Sequence, residues 1–345
     1  MNILDCTIRD GSYATNYQWP GTLVSDIISI LPKYGIKYIE IGNGTGLGTY
    51  RKDESYMADD EYIKCAINDK KDKNVKIGAF YIPSIGTKAD LENFRKLGGD
   101  FVRIGVNATD TQNAYDSIKY AKSLGFYVFC NLMKTYAITK IQLVEYCEGL
   151  MNAGVDCIYI VDSAGGMIPS QVSEYIKAVK SFYDIPVGFH GHNNLSMANA
   201  NSLAAIEAGA EFVDATLGGL GRGAGNAQLE SLIAVLQKSG LYNDDIDVLS
   251  LSEFSKNLFL NLNRLSKGNS LRDIVVGMAN FHDSYTNILE DIAQKYKVNP
   301  EKLLIEVSKI NVVDPSKELF ESVAQKIADY NEYKFFAPKF YHKNK

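Results

Sequence analysis

Short β-branched or aromatic runs alternate with segments of helical period eight times over the first 240 residues, and no other feature restricts the fold as much. The strand-like runs lie at residues 2–6, 38–42, 75–81, 101–105, 127–133, 157–162, 186–191 and 212–217. Helical periodicity fills the intervals, for instance at 89–97, 113–124, 141–153 and 198–208. One strand and one helix every thirty residues or so is the size of a parallel crossover unit. Gly35, Gly98, Gly125, Gly154 and Gly209 each stand between a helix and the next strand, where a left-handed cap turns the chain back.

Eight such units close a (β/α)8 TIM barrel, with the last helix expected at 226–238. A doubly wound open sheet competes. The barrel is favoured because the glycine-rich stretch follows the last strand, whereas a dinucleotide-binding sheet carries it after the first. Beyond residue 240 strand-like alternation stops, and 252–265, 284–296 and 316–330 read as helices. The expectation is an α/β chain with a TIM-barrel catalytic domain at 1–240 and a C-terminal helical module at 241–345, which a length of 345 residues accommodates.

Composition removes other classes. Hydrophobic residues at 46% and charged residues at 22% describe an ordinary globular chain. With 36 basic against 41 acidic residues and no long basic run, nucleic acid and anionic membrane are not expected partners. No apolar stretch is long enough for a membrane span, and Asp5, Arg9 and Asp10 interrupt the N-terminus where a signal peptide needs an apolar core, so the expected compartment is the cytoplasm. The five cysteines are odd in number and never spaced C-x-x-C, which points to reduced, mostly buried thiols.

Barrels keep their chemistry at the C-terminal ends of the strands. Strand one ends in Thr7-Ile8-Arg9-Asp10-Gly11, strand seven in His190-Gly191-His192-Asn193-Asn194, and strand eight runs into Gly218-Gly219-Leu220-Gly221-Arg222-Gly223-Ala224-Gly225-Asn226. His190 and His192, at i and i+2 of a strand, share one face. In a closed ring strand one adjoins strand eight and lies near strand seven, so Asp10 can complete a two-histidine, one-carboxylate set suited to Mn2+ or Mg2+, with Co2+ and Zn2+ as alternatives. Taken singly, His-x-His also fits a polar strand end, and Asp10 a salt-bridge partner of Arg9. The glycine-rich string does not open a Rossmann unit and reads as a flexible active-site loop.

These three segments, with Val161-Asp162-Ser163 and the tail from Asp273 to Ala328, resemble the metal-dependent aldolase and lyase superfamily, the hydroxymethylglutaryl-CoA lyase-like TIM barrels, and within it most of all the 4-hydroxy-2-oxovalerate aldolase branch. The resemblance implies Asp10, His190 and His192 as metal ligands and Asn226 as a further ligand or a neighbour of the metal. It implies that Arg9 stabilises an enolate and that Ser163 contacts a 2-oxo acid. The implied reaction is cleavage or formation of a 4-hydroxy-2-oxo acid, with a pyruvate-type enolate and an aldehyde on the other side.

The chain departs from that branch in two places. The branch has a histidine two positions after its Arg-Asp-Gly and a tyrosine in the C-terminal module; here those positions hold Tyr13 and His282, as though exchanged. His282 is the better base of the pair because its unperturbed pKa lies near neutrality. Arg222 replaces a small residue and is a candidate for binding an additional anionic group on the substrate. Alternatives are an acyl-CoA-dependent Claisen synthase or lyase and a non-catalytic barrel used for binding. The resemblance also implies docking with an acylating aldehyde dehydrogenase, and a homo-oligomer stays open.

Overall fold

The computed structural model describes residues 1–52, 57–242, 245–261 and 271–329. Eight parallel strands form a closed ring in chain order: β1 (Asn2–Asp5), β2 (Tyr38–Ile41), β3 (Lys76–Tyr81), β4 (Phe101–Asn107), β5 (Tyr127–Met133), β6 (Cys157–Asp162), β7 (Val187–Gly191) and β8 (Phe212–Ala215). Pairing of β8 with β1, from Asn2 opposite Phe212 to Asp5 opposite Ala215, closes the barrel and excludes the open sheet. The five helix-ending glycines all have positive φ, between 78° and 108°, as their capping role requires.

Some boundaries differ from the sequence pattern. β1 stops at Asp5, and Thr7–Gly11 is one turn of helix, not a strand end. The Asp5 carboxylate accepts the Thr7 N–H at 3.0 Å and its hydroxyl at 2.7 Å, which turns the chain immediately after the strand. The last barrel helix is Leu229–Lys238 and begins three residues later than expected. The residues before it close a loop in which Thr216 N–H donates to the Ala227 carbonyl and Leu229 N–H to the Thr216 carbonyl. β2 and β8 are shorter than their apolar runs, and β4 extends to Asn107.

Inward-facing residues fill the barrel in layers. At the N-terminal end Tyr38, Phe101, Phe129 and Phe212 pack together, three of their ring pairs T-shaped at 5.1 to 5.4 Å. Two residues further along the same strands the lumen becomes ionic, with Glu40 on β2, Arg103 on β4 and Asp214 on β8, all at 2% exposure or less. The outward faces pack against the surrounding helices in a continuous apolar cluster.

After the barrel come the helices Val248–Asn261, Leu271–Met278, Thr286–Tyr296, Pro300–Ser308 and Lys317–Asp329. Leu251 and Leu258 of the first belong to the barrel's cluster, while Phe281, Leu303, Phe320 and their neighbours form a second one. Residues 262–265 and 330 of the expected helices lie outside the described residues. Among the described residues no helix is long and apolar enough to cross a membrane, and all five cysteines are free, four of them buried.

Candidate active site

A cavity of about 230 Å³ opens where the strands end, and Arg9, Asp10, Tyr13, Ser163, His190, His192, Arg222 and His282 all line it. The last comes from the C-terminal helical part, so barrel and module together enclose the space. Asn226 lies behind Asp10, donating its amide to the Asp10 carboxylate at 2.5 Å and to the Leu220 carbonyl at 3.0 Å.

Asp10, His190 and His192 each present a ligand atom, all within 4.8 Å of one another. Asp10 stands on the one-turn helix after β1, and the two imidazoles sit edge to face at the end of β7, ring centres 5.1 Å apart. His192 is one residue past the strand but stays in register through an isolated bridge to Asn226. His190 Nδ1 lies 2.8 Å from an Asp214 oxygen and His192 Nδ1 lies 3.2 Å from the Gly225 carbonyl, which leaves Nε2 of both rings for the cavity.

The electrostatics suit a divalent cation. Burial would push the Asp10 carboxyl up, but Arg9, the two histidines and the Asn226 amide outweigh it and hold the group well below the usual carboxylate range. Burial, opposed by Asp10 and reinforced by His190 and Arg222, pushes His192 down to about 4, so its ring is neutral and has a lone pair to give. Asn226 Oδ1 is buried without a hydrogen-bond partner, an acceptor left over beside the carboxylate. An anionic oxygen, two imidazoles whose Nε2 atoms face the cavity and an orphaned amide oxygen are the donor set a hard or borderline divalent metal takes.

Arg9, at 6% exposure, pairs with Asp10 through Nη1 at 2.8 Å and with Glu40 through Nε at 2.8 Å, and its guanidinium lies 4.9 Å from the centre of the Phe80 ring. The salt bridge with Asp10 and a place at the cavity are therefore compatible. Behind it, Arg103 donates to the Glu40 oxygen that Arg9 also uses and to the Asp214 oxygen that holds His190. Glu40, Arg103 and Asp214 escaped the sequence reading. Their signal was present: each is a charge at an inward position of an apolar parallel strand, which folding tolerates only when the charge is paired.

Tyr13 and His282 meet at Arg222. The guanidinium stacks 4.1 Å from the centre of the Tyr13 ring, and its Nη1 lies 2.9 Å from His282 Nε2. A Cβ on Gly44 would fall 2.4 Å from the Tyr13 ring, so a glycine is needed for this approach. Burial raises the Tyr13 phenol, which stays protonated at neutral pH. Burial first, then Arg222 and Lys134, pull His282 well below its ordinary value and keep it neutral.

Ser163, just after β6, accepts the Lys134 N–H at 3.0 Å. Lys134 itself lines the cavity and was missed, because a lysine after a strand has no distinctive pattern. The glycine-rich segment is tied down at both ends, Asn226 N–H donating to the Gly219 carbonyl and Asn193 N–H to that of Gly225, and it carries Arg222 and Asn226 to the site.

A TIM barrel with a carboxylate, two imidazoles and a buried arginine at its strand ends defines a class of metal-site barrels. The HMGL-like family model matches residues 1–258, and the chain belongs to that family. It is 35% identical over 96% of its length to a 4-hydroxy-2-oxovalerate aldolase of Carboxydothermus hydrogenoformans, covering 98% of that protein, and 33% identical over 95% to one of Bacillus cereus, covering 96%. A crystal structure of the N-terminal domain of a candidate aldolase from Bacteroides vulgatus superposes with a TM-score of 0.70 at 27% identity, covering 90% of this chain and 97% of that one.

Proposed function

We propose that this chain is a divalent-metal-dependent aldolase, a carbon–carbon lyase that cleaves a 4-hydroxy-2-oxo acid to pyruvate and an aldehyde, or joins them. The observation that carries this is the convergence of Asp10, His190 and His192 to within 4.8 Å beside the buried Arg9. Mn2+ or Mg2+ is the proposed metal, with Co2+ and Zn2+ as alternatives. Held by the carboxylate and the two imidazoles, with Asn226 alongside, it supplies Lewis-acid polarisation of the 2-oxo group when bound.

The remaining chemistry belongs to side chains. His282, neutral and in the cavity, takes the proton from the 4-hydroxyl. The oxygen electrons form the aldehyde carbonyl, the C3–C4 bond breaks, and its electron pair passes to C3 and the 2-oxo oxygen as an enolate. Arg9 stands in a largely dry environment, where its positive charge most effectively stabilises that oxygen. Ser163 presents a hydroxyl to the 2-oxo acid. Tyr13, protonated, completes the acid–base pair: it gives its proton to C3, making the methyl group of pyruvate, and recovers the one that His282 took from the 4-hydroxyl.

A cavity of about 230 Å³, below the usual ~300–1,000 Å³ of ligand pockets, suits a short oxo acid and aldehyde. We further propose a division between barrel and helical module, supported by the separate apolar cluster from Val275 to Ala324; the packing of Leu251 and Leu258 with the barrel favours a boundary after Val248–Asn261 over the one at 240/241 expected from the sequence. Five free cysteines support a reducing compartment such as the cytoplasm. Docking of an acylating aldehyde dehydrogenase on the helical module is proposed because the cleavage releases an aldehyde that such a partner would consume, and co-purification tests it.

The central test is incubation with pyruvate and Mg2+ or Mn2+ in D2O. Metal-dependent deuterium entry into the methyl group, lost in Asp10→Ala, is the expected result. Absence of exchange with every metal would overturn the aldolase reading.

A further inference from the structure

Resting on the aldolase reading, we propose that the second substrate carries an anionic group, a carboxylate or a phosphate, bound between Arg222 and Lys134. Pyruvate brings one negative charge, and Arg9 with the metal-type site accounts for it. Arg9 is already paired with Asp10 and Glu40. Arg222 and Lys134 are different: among the described residues neither forms an ion pair with a carboxylate, although both line the cavity.

Arg222 rests against a phenol ring and a neutral imidazole, poor partners for a guanidinium that could make charge-assisted, bidentate bonds. Lys134 is 8% exposed and donates to the Val313 carbonyl. Asp314, the carboxylate whose charge acts on Lys134, already accepts the Tyr285 hydroxyl at 2.8 Å. Lys134 also has a left-handed backbone, φ 59° and ψ 42°, which a non-glycine residue adopts at a cost and which recurs at ligand-binding positions. Its N–H on Ser163 holds it there. His282 lies within the field of both cations, so the anion would sit where the C-terminal part closes the cavity, next to the proposed base.

The test compares matched aldehydes in aldol addition to pyruvate: succinic semialdehyde against butyraldehyde, and glycolaldehyde phosphate against glycolaldehyde. We expect kcat/KM to favour one anionic member by about tenfold or more, and which pair shows it separates carboxylate from phosphate. Lys134→Gln should reduce that ratio at least about fivefold, and Lys134→Arg should restore it. Calorimetry on metal-free protein gives an independent readout, with succinate binding more tightly than butyrate in the wild type and the difference lost in Lys134→Gln. Equal rates for both pairs, or a ratio unchanged by Lys134→Gln, would overturn the proposal while leaving the aldolase reading intact. Failure of deuterium exchange into pyruvate would overturn both.

Discussion

His190 Nδ1 and Asp214 Oδ2 lie 2.8 Å apart, and the same oxygen receives the Arg103 guanidinium. Asp214 therefore sets the tautomer and the angle of a metal-type imidazole from inside the barrel. Asp214→Asn removes that charge and should weaken metal binding about 10- to 100-fold, the usual effect of losing such a support. Titration calorimetry with Mn2+ checks it, and an unchanged affinity would mean the contact only fills space.

Arg103 faces Glu40 and Asp214 with no exposed surface. Arg103→Met leaves both carboxylates buried with less compensation, since Arg9 alone stays on Glu40. The expected loss is about 3–5 kcal/mol of stability, read from denaturant unfolding. Because the pair also links Arg9 to His190, residual folded enzyme should lose activity more than a distant destabilised variant does.

His282→Ala should slow cleavage about 10²- to 10⁴-fold in steady-state assays, the range for losing a general base. Unchanged turnover would show that the exchanged tyrosine and histidine do not form the acid–base pair.

The pH response of His282 follows from its burial and its neighbours. Burial first, and then the positive charge of Arg222 and Lys134, disfavour the imidazolium, so its pKa is depressed. Arg222→Gln removes one of those charges, and the titration midpoint of His282, followed by NMR on a chain with only four histidines, should rise toward the ordinary value. A midpoint that stays or falls would contradict the assigned contact.

Burial, opposed by Asp314 and reinforced by Arg222, brings the Lys134 ammonium down to about 8 from 10.5. Its charge is present below that pH and lost above it. The preference for anionic over neutral aldehydes should therefore decline as pH rises through about 8, in rate ratios measured across the range. For stability the sign is opposite: between about 8 and 10.5 the unfolded chain binds the extra proton, so this group makes the fold more stable as pH rises.

Much of the barrel and of the metal-type set was legible in the sequence. Short β-branched or aromatic runs, glycines at five helix ends and the two histidines at i and i+2 are local patterns, and local sterics suffice to interpret them. Element ends were less legible, because Asp5 turning the chain onto Thr7 and Thr216 bonding to Ala227 and Leu229 depend on partners that period alone does not show. Glu40, Arg103 and Asp214 were hidden for a related reason: a lone charge in a strand says nothing of its partner until the barrel closes.

The sequence by itself determined the alternation that makes a (β/α)8 barrel and the residue types that can hold a metal and stabilise an enolate. Only the tertiary structure decided that Tyr13, Arg222 and His282, more than two hundred residues apart at the extremes, share one wall, and that Lys134 faces the same cavity without a carboxylate ion pair among the described residues. The physical reason is that charge balance in a cavity is a property of every element around it, and those elements meet only when β1 closes against β8 and the C-terminal helices pack across the opening.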